Sequence, residues 1–137
     1  NYFAQYPGVY EWLERTKELA REQGYVTTLL NRRRYVPEIT SSTASTRRAA
    51  ERVAINTPVQ GTAADVIKLA MIRLDAELEG RDAQLLLQVH DELVVEAPEA
   101  EAEAVAQLTR EVMEGAIALD VHLKVDTGIG RNWAEIH

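Results

Sequence analysis

The sequence contains no cysteine, which excludes disulfide staples and cysteine-based zinc sites. It has no apolar run near the ~18 residues that cross a membrane, so no membrane partner is expected. Its first residues, Asn1-Tyr2-Phe3-Ala4-Gln5-Tyr6, lack the basic and apolar blocks of a signal peptide. An initiator methionine is missing too, and the chain is expected to be a piece of something longer. No composition shift marks a linker, and no internal repeat is visible. What is present is 137 residues, 46% of them hydrophobic, enough for a globular core.

Positive charge is scarce overall, with a net charge of −7. A naive reading excludes nucleic acid as a partner, but the distribution does not. Between residues 30 and 52 lie Arg32, Arg33, Arg34, Arg47, Arg48 and Arg52, against only Glu38 and Glu51. Phosphate binding follows local basic surface rather than the total. All six cations are arginine, the type suited to bidentate phosphate contacts. A solvated loop without a ligand has the same composition.

Helical spacing of Val9, Trp12, Leu13, Thr16, Leu19 and Ala20 predicts a helix over 8–23, after a break at Pro7 and Gly8 and stopped by Gly24. Tyr25 to Leu30 is β-prone, with Tyr35-Val36 as a return strand across an arginine-rich turn. Residues 37–45 read as a polar loop. A helix starts near Thr46, and Pro58 is expected to end or kink it. The next helix is expected over 62–78, with Ala63, Ile67, Ala70, Met71, Leu74 and Leu78 as its apolar stripe. Pro98 opens a further helix, with Glu99, Glu101 and Glu103 near its start and Val105, Leu108, Val112 and Met113 on its buried face. Leu123 to Val125 reads as a final short strand. The expected class is α+β, an antiparallel sheet with a central hairpin backed by helices.

Residues 84–96 form that hairpin. Leu85-Leu86-Leu87 and Leu93-Val94-Val95 suit buried strands, and Gln88-Val89-His90-Asp91-Glu92 interrupts them at a tight reversal. Neighbouring carboxylates at a hairpin tip repel each other, and a divalent cation such as Mg²⁺, which prefers oxygen ligands, offsets the repulsion. From residue types alone, the same five residues also describe a solvated turn with an incidental histidine. Arg52, Asn56 and Gln60, spaced by four, share one helix face up to Pro58. Asn and Gln amides suit the minor-groove acceptors shared by all base pairs. Three solvated side chains would show the same spacing.

Gln88-Val89-His90-Asp91-Glu92 resembles a motif of the family A DNA polymerases, the bacterial DNA polymerase I group, and most of all its Thermus-like members. Residues 52–65, Arg52-Val53-Ala54-Ile55-Asn56-Thr57-Pro58-Val59-Gln60-Gly61-Thr62-Ala63-Ala64-Asp65, are similar to the segment preceding that motif. Gly24-Tyr25-Val26-Thr27-Thr28-Leu29, Arg32-Arg33-Arg34-Tyr35-Val36-Pro37, and the ending Gly128-Ile129-Gly130 with Asn132-Trp133 resemble the same family in the same order.

The resemblance implies the carboxyl-terminal part of a polymerase palm. Residues 1–45 would be the end of the fingers-to-palm return, and 46–137 the palm segment. It implies template-dependent nucleotidyl transfer from dNTP to a primer 3′-OH, with two Mg²⁺ ions in the complete enzyme. Asp91 would be a metal ligand and catalytic, and Glu92 a supporting carboxylate beside the primer terminus. His90 would lie near the primer end, or else cap the turn. Arg52, Asn56 and Gln60 would face the DNA, and Arg33 and Arg34 are further candidates for template phosphate. Asp65 reads as structural, in the first turn of its helix, and Tyr25 and Trp133 as packing residues. The partners implied are primer-template DNA, dNTP and the remainder of the polymerase chain, in a bacterial cytoplasm near the nucleoid.

No segment here resembles Asp-Tyr-Ser-Gln-Ile-Glu, which carries the family's other metal-binding aspartate, and the nucleotide-gripping helix is absent. The isolated chain is therefore expected to be inactive. The alternative is a catalytically inactive DNA-binding module derived from a polymerase palm. A metal-dependent phosphohydrolase would need further histidine and aspartate ligands, and the only other histidines, His122 and His137, lie far along the chain.

Overall fold

A short helix α1 (Tyr2–Gln5) precedes α2 (Pro7–Gln23), with Pro7 in the first turn of α2, where its missing N–H is not required. Gly24 ends α2 at φ 82°, and its N–H donates to the Ala20 carbonyl. A side chain at that φ would be strained, so this stop is written into the sequence. Strands β1 (Tyr25–Thr27) and β2 (Arg33–Tyr35) then pair antiparallel, with Val26 opposite Arg34. The polar stretch after them contains a 3-10 turn, Pro37–Thr40, that buries Ile39.

In this computed structural model, which describes residues 2–136, helix α3 runs unbroken from Ala44 to Leu78. The expected end of the helix at Pro58, and a separate helix from residue 62, are corrected by it. Proline inside a helix removes one i→i−4 bond and costs about 3 kcal/mol or more in isolation. Two threonine hydroxyls bond back onto helix carbonyls on either side of it. Thr57 Oγ1 donates to the Val53 carbonyl at 2.7 Å, and Thr62 Oγ1 donates to the Pro58 carbonyl. Asp65 accordingly lies mid-helix rather than in a first turn.

Strands β3 (Gln84–Val89) and β4 (Glu92–Glu96) form the expected hairpin, with a bulge between Leu85 and Leu87. Among the described residues the antiparallel strands form two separate two-stranded sheets rather than one. After a 3-10 turn, Glu99–Glu101, α4 runs from Ala102 to Glu114. Pro98 thus caps the 3-10 turn, and the α-helix begins four residues later than expected. Leu123–Val125 is not a strand: no partner strand lies beside it among the described residues. Leu123 and Val125 instead pack on Val66, Ala70, Met113 and Ala116, and the Val125 N–H donates to Glu114 Oε1 at 3.0 Å. Among the described residues no helix is long and apolar enough to cross a membrane.

The chain divides into two compact units, one ending at Asp65 and one beginning at Val66. The first packs Ala20, Val26, Val36, Ile39, Ala50 and Ala54 together. The second has the Val66 cluster and another of Leu74, Leu78, Ala83 and Val105, on which Leu85, Leu93, Val95, Leu108 and Val112 lie. Of the expected α3 stripe only Ala63 is exposed. The expected apolar faces elsewhere are partly open. Val9, Trp12 and Leu19 of α2 are exposed, and on β3 Leu86 is 51% and Leu87 43% exposed. Trp133, expected to pack, is 47% exposed.

Candidate functional site

The β3–β4 reversal contains only two residues between paired Val89 and Glu92, namely His90 and Asp91. Two-residue hairpins need positive φ in the loop and normally place glycine or asparagine there. Here His90 takes that conformation, at φ 53°. The Gln88 side-chain amide donates to the His90 carbonyl and braces the turn. His90, Asp91 and Glu92 are all exposed. The tip therefore presents two consecutive carboxylates and an imidazole on a bulged hairpin. Among the described residues no cluster of three or more histidine or acidic side chains could hold a metal ion alone. His122 is exposed in the tail, and His137 lies outside the described residues.

Within α3, Arg52, Asn56 and Gln60 are exposed and share one face. Because the helix passes through Pro58, that face is continuous from Arg52 to Gln60, and Arg48 extends it by one more turn. Arg33 and Arg34 are neighbours on β2, so they leave opposite sides of the ribbon and do not act as a pair. The Arg33 guanidinium lies 4.5 Å from the centre of the Tyr25 ring, which itself packs edge-on against Tyr35. Tyr25 is thus a packing residue, as expected.

Sequence reasoning did not find the contact between the β1–β2 turn and α3. Arg32, counted above as part of a phosphate-facing cluster, donates from Nε to Asp65 Oδ1 at 2.7 Å and from a terminal nitrogen to the Gly61 carbonyl at 3.1 Å. The Leu29 N–H donates to Thr62 Oγ1 at 3.0 Å. Asp65 is only 7% exposed, and a buried carboxylate requires a partner. The signal was an aspartate inside the run Ala63-Ala64-Asp65-Val66-Ile67, but nothing in the spacing names the arginine 33 residues earlier.

Gly61 lets the turn approach. A Cβ there would sit 2.7 Å from Thr28 Cγ2. Replacing a mid-helix glycine with alanine normally stabilises by about 1 kcal/mol, whereas overpacking a tight contact costs about 1–3 kcal/mol. Thr28 is buried and β-branched, so the clash wins. Gly61→Ala is expected to lower the urea midpoint, by about 1 kcal/mol in stability. Adding Thr28→Ser, which keeps the hydroxyl and removes Cγ2, should restore most of the loss. A simple gain in stability from Gly61→Ala would contradict the close packing.

Comparison with known proteins covers nearly the whole chain. The sequence profile described as DNA polymerase family A matches residues 1–135. The thermostable DNA polymerase I of Thermus aquaticus is 57% identical over 132 residues, covering 96% of this chain and 16% of that protein. DNA polymerase I of Pseudomonas aeruginosa is 54% identical over 138 residues, 99% of this chain and 15% of that protein. The POL domain of Pol1 from M. smegmatis, solved in complex with DNA primer-template and dNTP, matches with a TM-score of 0.94 at 47% identity. That match covers 98% of this chain and 24% of the solved one. The chain thus spans a small part of the length of each relative.

Proposed function

The chain belongs to DNA polymerase family A, and from that premise we propose that it is the carboxyl-terminal palm segment of a DNA-directed DNA polymerase. Residues 1–45 would complete the return from the fingers and 46–137 would form the palm part. The parent would extend a primer on a template with dNTP, in bacterial replication or repair. The observation that carries this reading is the hairpin tip. His90 holds a left-handed backbone where glycine would be cheaper, and it does so beside two exposed carboxylates. Strain retained at such a position points to a side chain required there.

Asp91 would hold a divalent metal through its oxygens, the ligand type Mg²⁺ prefers. The donor set fits in kind but is incomplete, so the remaining ligands would come from the upstream chain. The chemistry supplied by two such ions, when bound, is neutralisation of charge on the attacking and leaving oxygens at phosphorus. Glu92 would stand beside the primer terminus as a supporting carboxylate. His90 would donate to a phosphate near the primer end. Arg34 would supply charge to the template strand, and so would Arg33 once released from the Tyr25 ring. The face of Arg52, Asn56 and Gln60 would lie along the minor groove. Its amides donate to acceptors present in every base pair, so it tests pair geometry without reading sequence.

The test is Gln60→Ala in the full-length parent. Loss of one minor-groove hydrogen bond is worth roughly 1 kcal/mol, so extension from a matched primer end should fall about fivefold. The loss should be similar on all templates. A strong dependence on one base at the primer terminus would contradict the geometry-testing role, and an unchanged rate would remove Gln60 from the DNA face.

A further inference from the structure

We propose that Arg32 is a positioning residue for the DNA-facing side of α3, acting as a splint across the weakest turn of that helix. The inference rests on the reading of Arg52, Asn56 and Gln60 as the DNA face. It adds a residue that touches no DNA in this reading.

Two consecutive defects lie around Gln60. Pro58 brings no N–H to the helical ladder, and Gly61 is the poorest helix former after proline. Proline and glycine are where helices bend. Gln60 sits between the two. The β1–β2 turn spans the same stretch with three bonds. Arg32 holds the Gly61 carbonyl at 3.1 Å and Asp65 Oδ1 at 2.7 Å, and the Leu29 N–H holds Thr62 Oγ1 at 3.0 Å. Thr62 passes the restraint back by donating to the Pro58 carbonyl. The turn is itself closed by Thr28 N–H donating to the Arg32 carbonyl at 3.0 Å and Arg32 N–H donating to Thr28 Oγ1 at 3.2 Å. The absence of a side chain at Gly61 allows this approach. The forked guanidinium matters, because one arm meets a carboxylate and the other a main-chain carbonyl. Lysine has a single point of donation and cannot reach both in that geometry. The hairpin therefore fixes where on the helix surface the Gln60 amide stands.

The experiment is a double-mutant cycle in the full-length parent, read as kcat/KM for primer extension well below each variant's melting temperature. Arg32→Lys alone should lose about fivefold, the same order as Gln60→Ala. In the Gln60→Ala background it should lose less than twofold, because its effect runs through the amide already removed. A purely structural arginine would give losses that multiply. Thr62→Val, which removes the acceptor for the Leu29 N–H, should reproduce the same non-additivity, and Thr62→Ser should restore activity. This pair carries the test if Arg32→Lys does not fold. If Gln60→Ala is damaging but the Arg32 and Thr62 variants are silent or fully additive, the positioning role is wrong and the DNA face stands. If Gln60→Ala is itself silent, the DNA face fails and the inference falls with it.

Discussion

Asp91→Ala in the full-length parent is expected to reduce kcat for nucleotide addition by about a thousandfold or more while leaving primer-template affinity within about twofold. Loss of metal-based charge stabilisation costs several kcal/mol of barrier, and about 4 kcal/mol corresponds to three decades in rate. Affinity should persist because it rests on phosphate and groove contacts made by other residues. The position of Asp91 makes the result interpretable. It is exposed at a hairpin tip, and exposed substitutions typically change stability by about 0.5 kcal/mol or less. A collapse of rate with an unchanged melting temperature therefore reports chemistry and not unfolding. His90 offers the contrast. At φ 53° its replacement by alanine acts on backbone strain as well as on the imidazole, so its kinetic effect is mixed. Extension by Asp91→Ala at the wild-type rate would overturn the assignment of Asp91, whereas an inactive DNA-binding module would show no extension even with Asp91 in place. The wild-type and variant rates together separate the catalytic reading from that of an inactive module.

The hairpin tip was legible in the sequence because everything that makes it is local. Two β-prone runs separated by His90-Asp91 admit few other structures, and the bracing amide of Gln88 lies two residues away. The stop at Gly24 was legible for the same reason. That the helix continues past Pro58 was not legible, because the groups that hold the chain there are only partly local. Thr57 and Thr62 are near in sequence, but the hairpin turn that holds Thr62, Gly61 and Asp65 lies about thirty residues earlier. Propensity rules cannot see that bond. Charge counting failed at Arg32 in a related way. Three consecutive arginines look alike in a sequence, yet in the fold Arg32 pairs with a buried aspartate, Arg33 lies over a tyrosine ring and Arg34 makes neither contact. Leu123–Val125 was misread because a β pattern becomes a strand only when a partner is present. Those residues found a helical surface to cover instead. The bulge at Leu86 has no glycine or proline to announce it.

The purified 137-residue chain is expected to show no template-dependent synthesis above background, and to regain it only when the upstream part of the parent is supplied. Under the proposed reading, an in-line displacement at phosphorus needs two metals held together and a means of gripping the triphosphate. The chain offers Asp91 and Glu92 at one tip and, among the described residues, no further acidic or histidine cluster to complete a metal site. Its surface points the same way. Strands β3 and β4 pair only with each other among the described residues, and Leu86 and Leu87 stand more than two-fifths exposed beside those open edges. Trp12, Leu19, Leu29 and Val59 are exposed around a groove of the first unit. Free strand edges and apolar faces of that kind drive self-association. The isolated chain should therefore elute larger than its 15.3 kDa mass in size-exclusion chromatography at micromolar concentration, and increasingly so as concentration rises. Adding the upstream fragment in trans should shift it to a one-to-one complex and restore primer extension. Asp91→Ala in the same complex should abolish that extension without dissociating the partners. Synthesis by the 137-residue chain alone would mean that a complete active site lies within it, and the reading of it as one part of a shared palm would have to be abandoned.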